Sequence, residues 1–273
     1  MLIDFDGQFQ AYLKTWMREN RSKYRNVDEM ESQMPDVYTR WLNTPASWLD
    51  GVAPGFYFDR YSDAHQLVEL MVDYMDQQVA VPDQLLDRIA DLGPEAEEAL
   101  LALAGDEEKG MEARMTAVGL LREMDSQRPM ELYLGWLEQA KELDELCENA
   151  VESLKNMGGA PLESCLAMQE KVCPAVRECL ADILCAFPGD DRVLAFLLRC
   201  FQESKNRALM ASYLGKLGDE RALPALEAAL TDPELNYLDY VEIVAAVREL
   251  GGEVAETREF AGDPYYESLK QTM

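Results

Sequence analysis

Six segments of this 273-residue chain end in the same way, and their regular spacing constrains the fold more than any other feature. In each segment a helical pattern of apolar residues stops at a large apolar residue, which a helix breaker or an acidic residue follows. The six anchor residues are Leu92, Met124, Met157, Phe187, Leu217 and Leu250. The steps between them are 32, 33, 30, 30 and 33 residues, a period that indicates a repeat protein.

The six segments agree at further positions when they are aligned on their anchors. Residues three, six and seven positions before each anchor are apolar in every copy. These offsets lie on one face of an α-helix, so each segment predicts one amphipathic helix. A second helix is predicted before several of them, over residues 95–104, 130–139, 193–201 and 222–230. Because a hairpin of two helices cannot bury its apolar stripe alone, the hairpins are expected to stack on one another.

The same helical spacing runs along most of the chain, and no stretch alternates with the two-residue period of a strand. We therefore predict an all-α fold made of antiparallel helical hairpins. The predicted divisions are an aromatic-rich helical cap over residues 1–81, repeats over 82–251 and a C-terminal cap over 252–273, with a last helix from Pro264 to Lys270.

One segment carries a more specific resemblance. Residues 218–233 read G-D-E-R-A-L-P-A-L-E-A-A-L-T-D-P, which resembles the short HEAT-like repeats of phycobilisome lyase-related proteins. A following element similar to V-R-x-x-A-A-x-x-L-G-x-L has its arginine at Arg114, Arg177 and Arg207. The resemblance covers about residues 82–251 and implies a right-handed α-solenoid, the ARM/HEAT-type superhelix. In such solenoids this arginine is expected to tie neighbouring repeats through carboxylates and carbonyls.

That arginine is replaced in two repeats, by Cys147 and by Tyr240. The resemblance bears on the fold and says little about activity, because repeats of this kind are packing units. HEAT-like DNA glycosylases share the architecture, but they need a positively charged concave face.

Residues 1–81 do not fit the repeat, and they hold three of the four tryptophans and 13 of the 24 aromatic residues. Helices are predicted near residues 6–20, 28–42 and 63–78. Between the last two, Trp41 and Trp48 belong to a turn-rich segment that resembles the W-L-x-x-P…L-x-G-x-x-P turn of some antitoxins. An aromatic packing cap is the favoured interpretation, and an exposed partner-binding patch that includes Trp41 and Trp48 is the alternative.

The formal net charge of −27 disfavours nucleic acid as a partner, because a field of that sign repels phosphate. Residues 1–81 carry 13 acidic and 7 basic residues, and the rest of the chain carries 39 and 18, so the acidity is concentrated in the repeats. Many bacterial cytoplasmic proteins are acidic in this way. The longest apolar runs are far shorter than the roughly 18 residues of a membrane span, and no export signal is visible, so a cytoplasmic protein without a membrane partner is expected.

Six cysteines fall between residues 147 and 200, without a Cys-x-x-Cys pair or a zinc-like spacing. They are expected to be reduced thiols that fill the core, with a redox or metal role as the alternative. The single histidine, His65, excludes a paired-histidine metal site and is expected to be a solvated residue at a helix start. No catalytic residue, metal or cofactor is predicted.

Four carboxylates form the one candidate binding surface in the repeats. Glu148 and Glu152 are four residues apart, as are Glu178 and Asp182, so each pair shares a helix face. Stacking of the two helices in register would bring the pairs together as an acidic ladder, suited to a basic segment or a divalent cation. A solvated face in a chain with 52 acidic residues is the alternative, and the composition favours it.

The leading functional hypothesis is a non-enzymatic scaffold that binds another protein or a peptide, for which a basic segment is one candidate, along the concave face of a solenoid. The alternative is a lyase-like or other small-molecule enzyme, which would need a pocket or a cysteine of low pKa. A glycosylase-like role in DNA repair is disfavoured by the charge.

Overall fold

A computed structural model describes residues 2–254 and 258–270, and within these ranges the chain is helical and contains no β-strand. The chain divides into two compact units between Arg128 and Pro129. The two units are defined by compactness and not by the sequence repeat. The predicted boundaries between the caps and the repeats, after residues 81 and 251, therefore stay predictions. Residues 255–257 and 271–273 of the predicted C-terminal cap lie outside the described part.

The first unit contains seven α-helices among its described residues, and 3₁₀ segments connect several of them. Helix α1 packs on α3, α4 contacts α5, α6 and α7, and α5 packs on the 3₁₀ segment Pro54–Arg60. The helices are α1 (Phe5–Asn20), α2 (Val27–Glu31), α3 (Met34–Leu42), α4 (Ala64–Asp76), α5 (Asp83–Asp91), α6 (Pro94–Gly105) and α7 (Met111–Glu123).

The helix predicted near residues 28–42 is wrong as one element, because the chain forms α2 and α3 with a break at Ser32 and Gln33. Pro35 lies in the first turn of α3, where its missing N–H costs nothing. Within a continuous helix its ring would clash with the carbonyl of Glu31, which explains the break. Gly51 follows the 3₁₀ segment Ser47–Leu49 and Asp50, and its φ of +88° lies in the left-handed region that favours glycine.

The second unit contains nine α-helices in its described residues. Each of α9, α11 and α13 contacts the next odd-numbered helix as well as a helix adjacent to it in the chain. The helices are α8 (Met130–Gln139), α9 (Glu145–Asn156), α10 (Leu162–Met168), α11 (Pro174–Leu184), α12 (Asp191–Glu203), α13 (Arg207–Leu217), α14 (Leu223–Leu230), α15 (Tyr237–Glu249) and α16 (Pro264–Lys270). The predicted last helix is therefore confirmed.

Two of the three apolar columns predicted from the repeat are fully buried, and the third, six positions before the anchor, is buried in every copy except at Leu86, which is partly buried. All twelve residues that lie three and seven positions before an anchor have an exposed fraction of 0%. They are Ile89, Leu121, Leu154, Leu184, Leu214 and Val247, and Leu85, Ala117, Ala150, Leu180, Met210 and Ile243. The six copies thus place equivalent side chains in equivalent environments, in both units.

The predicted helix ends are confirmed in five copies, where the helix stops within one residue of its anchor and the next residue has a positive φ. That residue is glycine in four of the five and Asp125 in the other. The fourth copy differs, because α11 ends at Leu184 and not at Phe187. Pro188 follows that anchor, and the positive φ moves on to Gly189, at +87°.

Two residues of the arginine column, Arg177 and Arg207, reach the next predicted hairpin, as expected, whereas Arg114 contacts α6 of its own hairpin. The Nε of Arg114 donates to the carbonyl of Ala104 at 2.9 Å, and Nη1 of Arg207 lies 2.8 Å from the Asp232 carboxylate. Arg177 reaches Glu203 at 3.5 Å. The Arg207 hydrogen bond holds the pKa of Asp232 below its usual value.

A second set of ionic contacts also recurs at the repeat period. Arg192 binds both Asp190 and Glu163, which precedes it by 29 residues. Arg221 binds Asp219 and, 30 residues earlier, Asp191. Both arginines belong to a Gly-Asp-x-Arg sequence, and the aspartate in each also accepts from the arginine backbone N–H. The Arg192 contacts lower the pKa of Asp190 to about 2.

None of the helices in the described ranges combines the length and apolar character needed to cross a lipid bilayer.

Candidate functional site

The four predicted carboxylates lie on α9 and α11, which pack directly against each other. We call Glu148, Glu152, Glu178 and Asp182 the acidic face. Glu148 and Glu152 are exposed on α9, whereas Glu178 and Asp182 are partly buried on α11. The Asp182 side chain is 18% exposed and that of Glu152 is 56% exposed.

The ammonium group of Lys155 joins the two helices across the acidic face. Its Nζ lies 3.0 Å from Glu152 Oε1 on the same helix and 2.8 Å from Asp182 Oδ2 on α11. Burial by itself would lower the pKa of Lys155, but the hydrogen bonds to Asp182 and Glu152 outweigh burial and raise it. The sequence predicted that the carboxylate pairs of the two helices lie close together. One residue of each pair, Glu152 and Asp182, does so, since both contact the same ammonium group.

Helix α13 borders the acidic face with a second lysine. Lys216 Nζ lies 3.9 Å from Asp182 Oδ1 and 5.1 Å from the centre of the Tyr213 ring. Ser204 directly follows α12, and its hydroxyl donates to Glu178 Oε1 at 2.7 Å. This hydrogen bond holds the Glu178 carboxylate in place. The face consequently carries four carboxylates against two ammonium groups.

The carboxylates also act together on groups between the helices. Burial raises the pKa of Cys179 to about 11, and Asp182, Glu178 and Glu148 add to that shift. Burial raises the pKa of Tyr213 as well, with the Asp182 carboxylate as the next cause. The carboxylates of α9 and α11 therefore disfavour ionisation of the Cys179 thiol, and Asp182 does the same for the Tyr213 hydroxyl on α13.

Trp41 and Trp48 lie within an aromatic cluster in the first unit. Trp41 is 5% exposed, and its ring stacks on Tyr38 at 5.7 Å and on Trp48 at 6.5 Å between centroids. Trp48 is partly buried and meets Phe5 edge-on at 5.5 Å. The packing role expected of an aromatic cap is thus present at both residues, and their contact with a partner stays a prediction.

A cleft in the second unit has a volume of about 440 Å³. Arg177, Glu178 and Cys200 line it together with Ser204 and other residues that follow α12. The Nε of Arg177 is buried, and no hydrogen-bond partner for it is found in the part of the chain that the structure describes. Burial raises the pKa of Cys200 to about 11, so its thiol is protonated at neutral pH and is a poor nucleophile.

No protein-family model matches this chain, and a search of curated proteins finds no match to it. The function must therefore be argued from the geometry of the described residues.

The six cysteines are thiols in this structure, and all of them belong to the second unit. Four are buried, while Cys173 and Cys179 are partly exposed. Burial raises the pKa of Cys165 to about 12 and that of Cys147 to about 11. Burial also raises the pKa of Cys185. The expected use of these thiols as core residues fits this environment.

His65 is the second residue of α4, after the capping residue Asp63, and its side chain is exposed. It borders a cleft of about 380 Å³ that also contains Glu69, Asp73 and Asp106. Over residues 2–254 and 258–270, no three histidine, cysteine or acidic side chains converge in a way that could hold a metal ion.

Sequence reasoning missed the two lysines of the acidic face. Lys155 follows Glu152 by three residues, a spacing that places both on one helix face, so the first contact could have been found. The contacts of Lys155 and Lys216 with Asp182 span 27 and 34 residues and depend on how α9, α11 and α13 pack. The two Gly-Asp-x-Arg sequences were also available as a signal of the repeat.

Proposed function

We propose that this protein is a non-enzymatic scaffold that binds a basic segment of another protein on the acidic face of its second unit. The observation that carries the proposal is the Lys155 ammonium, which lies between Glu152 of α9 and Asp182 of α11. Because one ammonium group contacts carboxylates of both helices, this contact supports a spacing between α9 and α11 that suits a lysine side chain. Glu148 is exposed one helical turn before Glu152 on α9, so a further ammonium or guanidinium group would find a carboxylate there.

The proposal includes a HEAT-like architecture in which the hairpins of the second unit stack as a right-handed solenoid. The eight equivalent buried positions that lie in the second unit support it, as do the contacts between successive odd-numbered helices. The ties from Arg192 to Glu163 and from Arg221 to Asp191 support it further, because they join segments one repeat apart. In such a stack, α9, α11 and α13 would present one continuous surface to an extended segment.

The proposed binding can be tested with a fluorescein-labelled hexalysine peptide, followed by fluorescence anisotropy at low and physiological salt. The wild-type protein is expected to bind the peptide with an affinity that falls as salt rises. Replacing Glu148 and Glu152 by glutamine removes two exposed carboxylates of the face. We expect this double variant to bind about 5- to 10-fold more weakly, since each lost charge pair is worth roughly 0.2–1 kcal/mol.

A matched control removes the same charge elsewhere in the second unit. Glu131 and Glu227 are exposed on α8 and α14, outside the acidic face. Glu131→Gln with Glu227→Gln should leave the affinity within about two-fold of the wild type, because only long-range attraction changes. Equal losses in the two double variants would show that the peptide responds to net charge alone, and the proposal would be wrong.

A further inference from the structure

A concave site in the first unit combines ring faces with carboxylates. It lies where α1, α3 and the start of α5 come together, and its volume is about 230 Å³. Small-molecule sites usually occupy about 300–1,000 Å³, so this volume suits a single side chain better. The rings of Phe9, Tyr38 and Trp41 line it, and so do the carboxylates of Asp6 and Asp83.

The three rings form one aromatic cluster, and because Tyr38 and Trp48 both stack on Trp41, the accessible ring faces are those of Phe9 and Tyr38. Phe9 lies 4.9 Å from Tyr38 and 5.2 Å from Trp41 between centroids, and Tyr38 stacks on Trp41 at 5.7 Å. Phe9 and Tyr38 are only partly buried, so the cluster is open at the cavity. The faces of aromatic rings carry negative potential and attract cations that come within about 6 Å.

The charged side chains that line the cavity are carboxylates, and hydrogen bonds join Asp83, Tyr38 and Gln84. The buried amide of Gln84 donates to the Tyr38 hydroxyl at 2.9 Å, and that hydroxyl lies 3.5 Å from Asp83 Oδ2. Burial and the nearby Asp83 carboxylate raise the pKa of Tyr38. Asp6 and Asp83 are exposed, and among the described residues that line the cavity none is basic. Its charge is therefore not balanced from within.

We infer that this cavity, which we call the aromatic–acidic pocket, binds one arginine side chain of a partner protein. A guanidinium group is planar, so it can stack on the rings while its in-plane N–H groups donate to Asp6 and Asp83. A lysine ammonium is more strongly hydrated and lacks a flat face, so it uses the rings less well. The inference does not depend on the acidic face of the second unit, because different residues carry it.

The test follows the indole N–H signal of Trp41 by two-dimensional ¹⁵N–¹H NMR, with the signal assigned from the variant Trp41→Phe. The probes are three capped pentapeptides, Gly-Gly-X-Gly-Gly, in which X is arginine, citrulline or lysine. Citrulline has nearly the shape of arginine but no charge. The arginine peptide should shift the Trp41 signal saturably, with an affinity about ten-fold higher than that of citrulline and a few-fold higher than that of lysine.

Two single substitutions test whether the arginine peptide binds in the pocket. Asp83→Asn should weaken the arginine peptide about three- to five-fold, whereas Asp91→Asn should leave its affinity unchanged. Asp91 is a fair control because it is an exposed aspartate on the same helix and does not line the pocket. Thermal unfolding of both variants checks that they are folded.

Four results would overturn the inference. The arginine peptide could leave the Trp41 signal unmoved, or citrulline could bind as well as arginine, which would show that charge has no part. Equal losses from Asp83→Asn and Asp91→Asn would show only general attraction to an acidic protein. Equal affinity for lysine and arginine would show that the pocket does not select a guanidinium group.

Discussion

The N-terminal part of the first unit and the repeats of the second unit bury apolar surface in different ways. In the first, a few large rings from distant segments meet, as when Phe5 contacts Trp48 and Phe58 at 5.5 Å each. In the second, aliphatic side chains such as Leu154, Leu180 and Leu214 fill equivalent positions about 30 residues apart. The stability of the aromatic region is thus concentrated in few residues, and that of the repeats is distributed over many.

The strongest test of this difference is the removal of one ring. Phe58 is 1% exposed and Phe56, two residues earlier in the same 3₁₀ segment, is 54% exposed. Phe58→Ala should lower the free energy of unfolding by about 3–5 kcal/mol, and Phe56→Ala by less than about 0.5 kcal/mol. Urea unfolding followed by tryptophan fluorescence measures both, since three of the four tryptophans lie in the first unit. Similar losses would contradict a concentrated aromatic core.

The cysteines test how tightly the repeats are packed. With a pKa of about 11, the thiols of Cys147, Cys179 and Cys200 are roughly 0.1% ionised at pH 8, against about a quarter for an ordinary thiol of pKa 8.5. Their reaction with a disulfide reagent should be at least about 100-fold slower in the native protein than in denaturant, and it should accelerate as pH rises toward 11. One of these three thiols reacting at the rate of a free thiol would contradict core packing.

Two glycines test the contact between α13 and α15. A Cβ on Gly215 would touch the Glu249 carboxylate and would come within 3.3 Å of the Ala246 Cα, whereas one on Gly119 of α7 would meet nothing within 4 Å. Gly215→Leu should lower the free energy of unfolding by about 1–3 kcal/mol, because the helices cannot separate without losing packing. Gly119→Ala should raise it by about 0.5–1 kcal/mol. Thermal unfolding measures both, and a stabilising Gly215→Leu would show that α13 and α15 do not pack closely.

The smallest expected effect compares acidic helix faces in the two units. Burial, Asp83 and Asp91 raise the pKa of Asp87 on α5, so the folded state binds this proton more tightly than the unfolded state. Asp87→Asn should therefore stabilise the protein by about 0.5 kcal/mol at pH 7, since two like-charge contacts are removed. The gain should vanish as pH falls and Asp87 becomes protonated in both states.

The control is Glu152→Gln on α9, where Lys155 provides the opposite charge. This change should destabilise the protein by up to about 1 kcal/mol at neutral pH. A pH series of thermal unfolding curves distinguishes the two cases. A destabilising Asp87→Asn at pH 7 would show that the α5 carboxylates have balancing partners.

The repeats could be predicted because each copy is a separate observation of the same pattern. Ile89 and Leu214 occupy the same column at 0% exposure, although their sequences differ around them. The aromatic–acidic pocket could not be predicted, since it joins residues 5–9, 38–41 and 80–84 through tertiary contacts. The acidic face lies between these cases: its helix faces follow from i,i+4 spacing, but the position of Lys216 beside Asp182 depends on packing.

The central claim, that the acidic face receives a basic segment, is tested most directly by locating a bound peptide. A carbodiimide joins the amines of hexalysine to the carboxylates that they contact, and mass spectrometry identifies those residues. The account predicts cross-links concentrated at Glu148 and Glu152, which are exposed on α9, and their loss in high salt. Cross-links spread equally over Glu131, Glu227 and other exposed carboxylates, with no excess on α9, would contradict it.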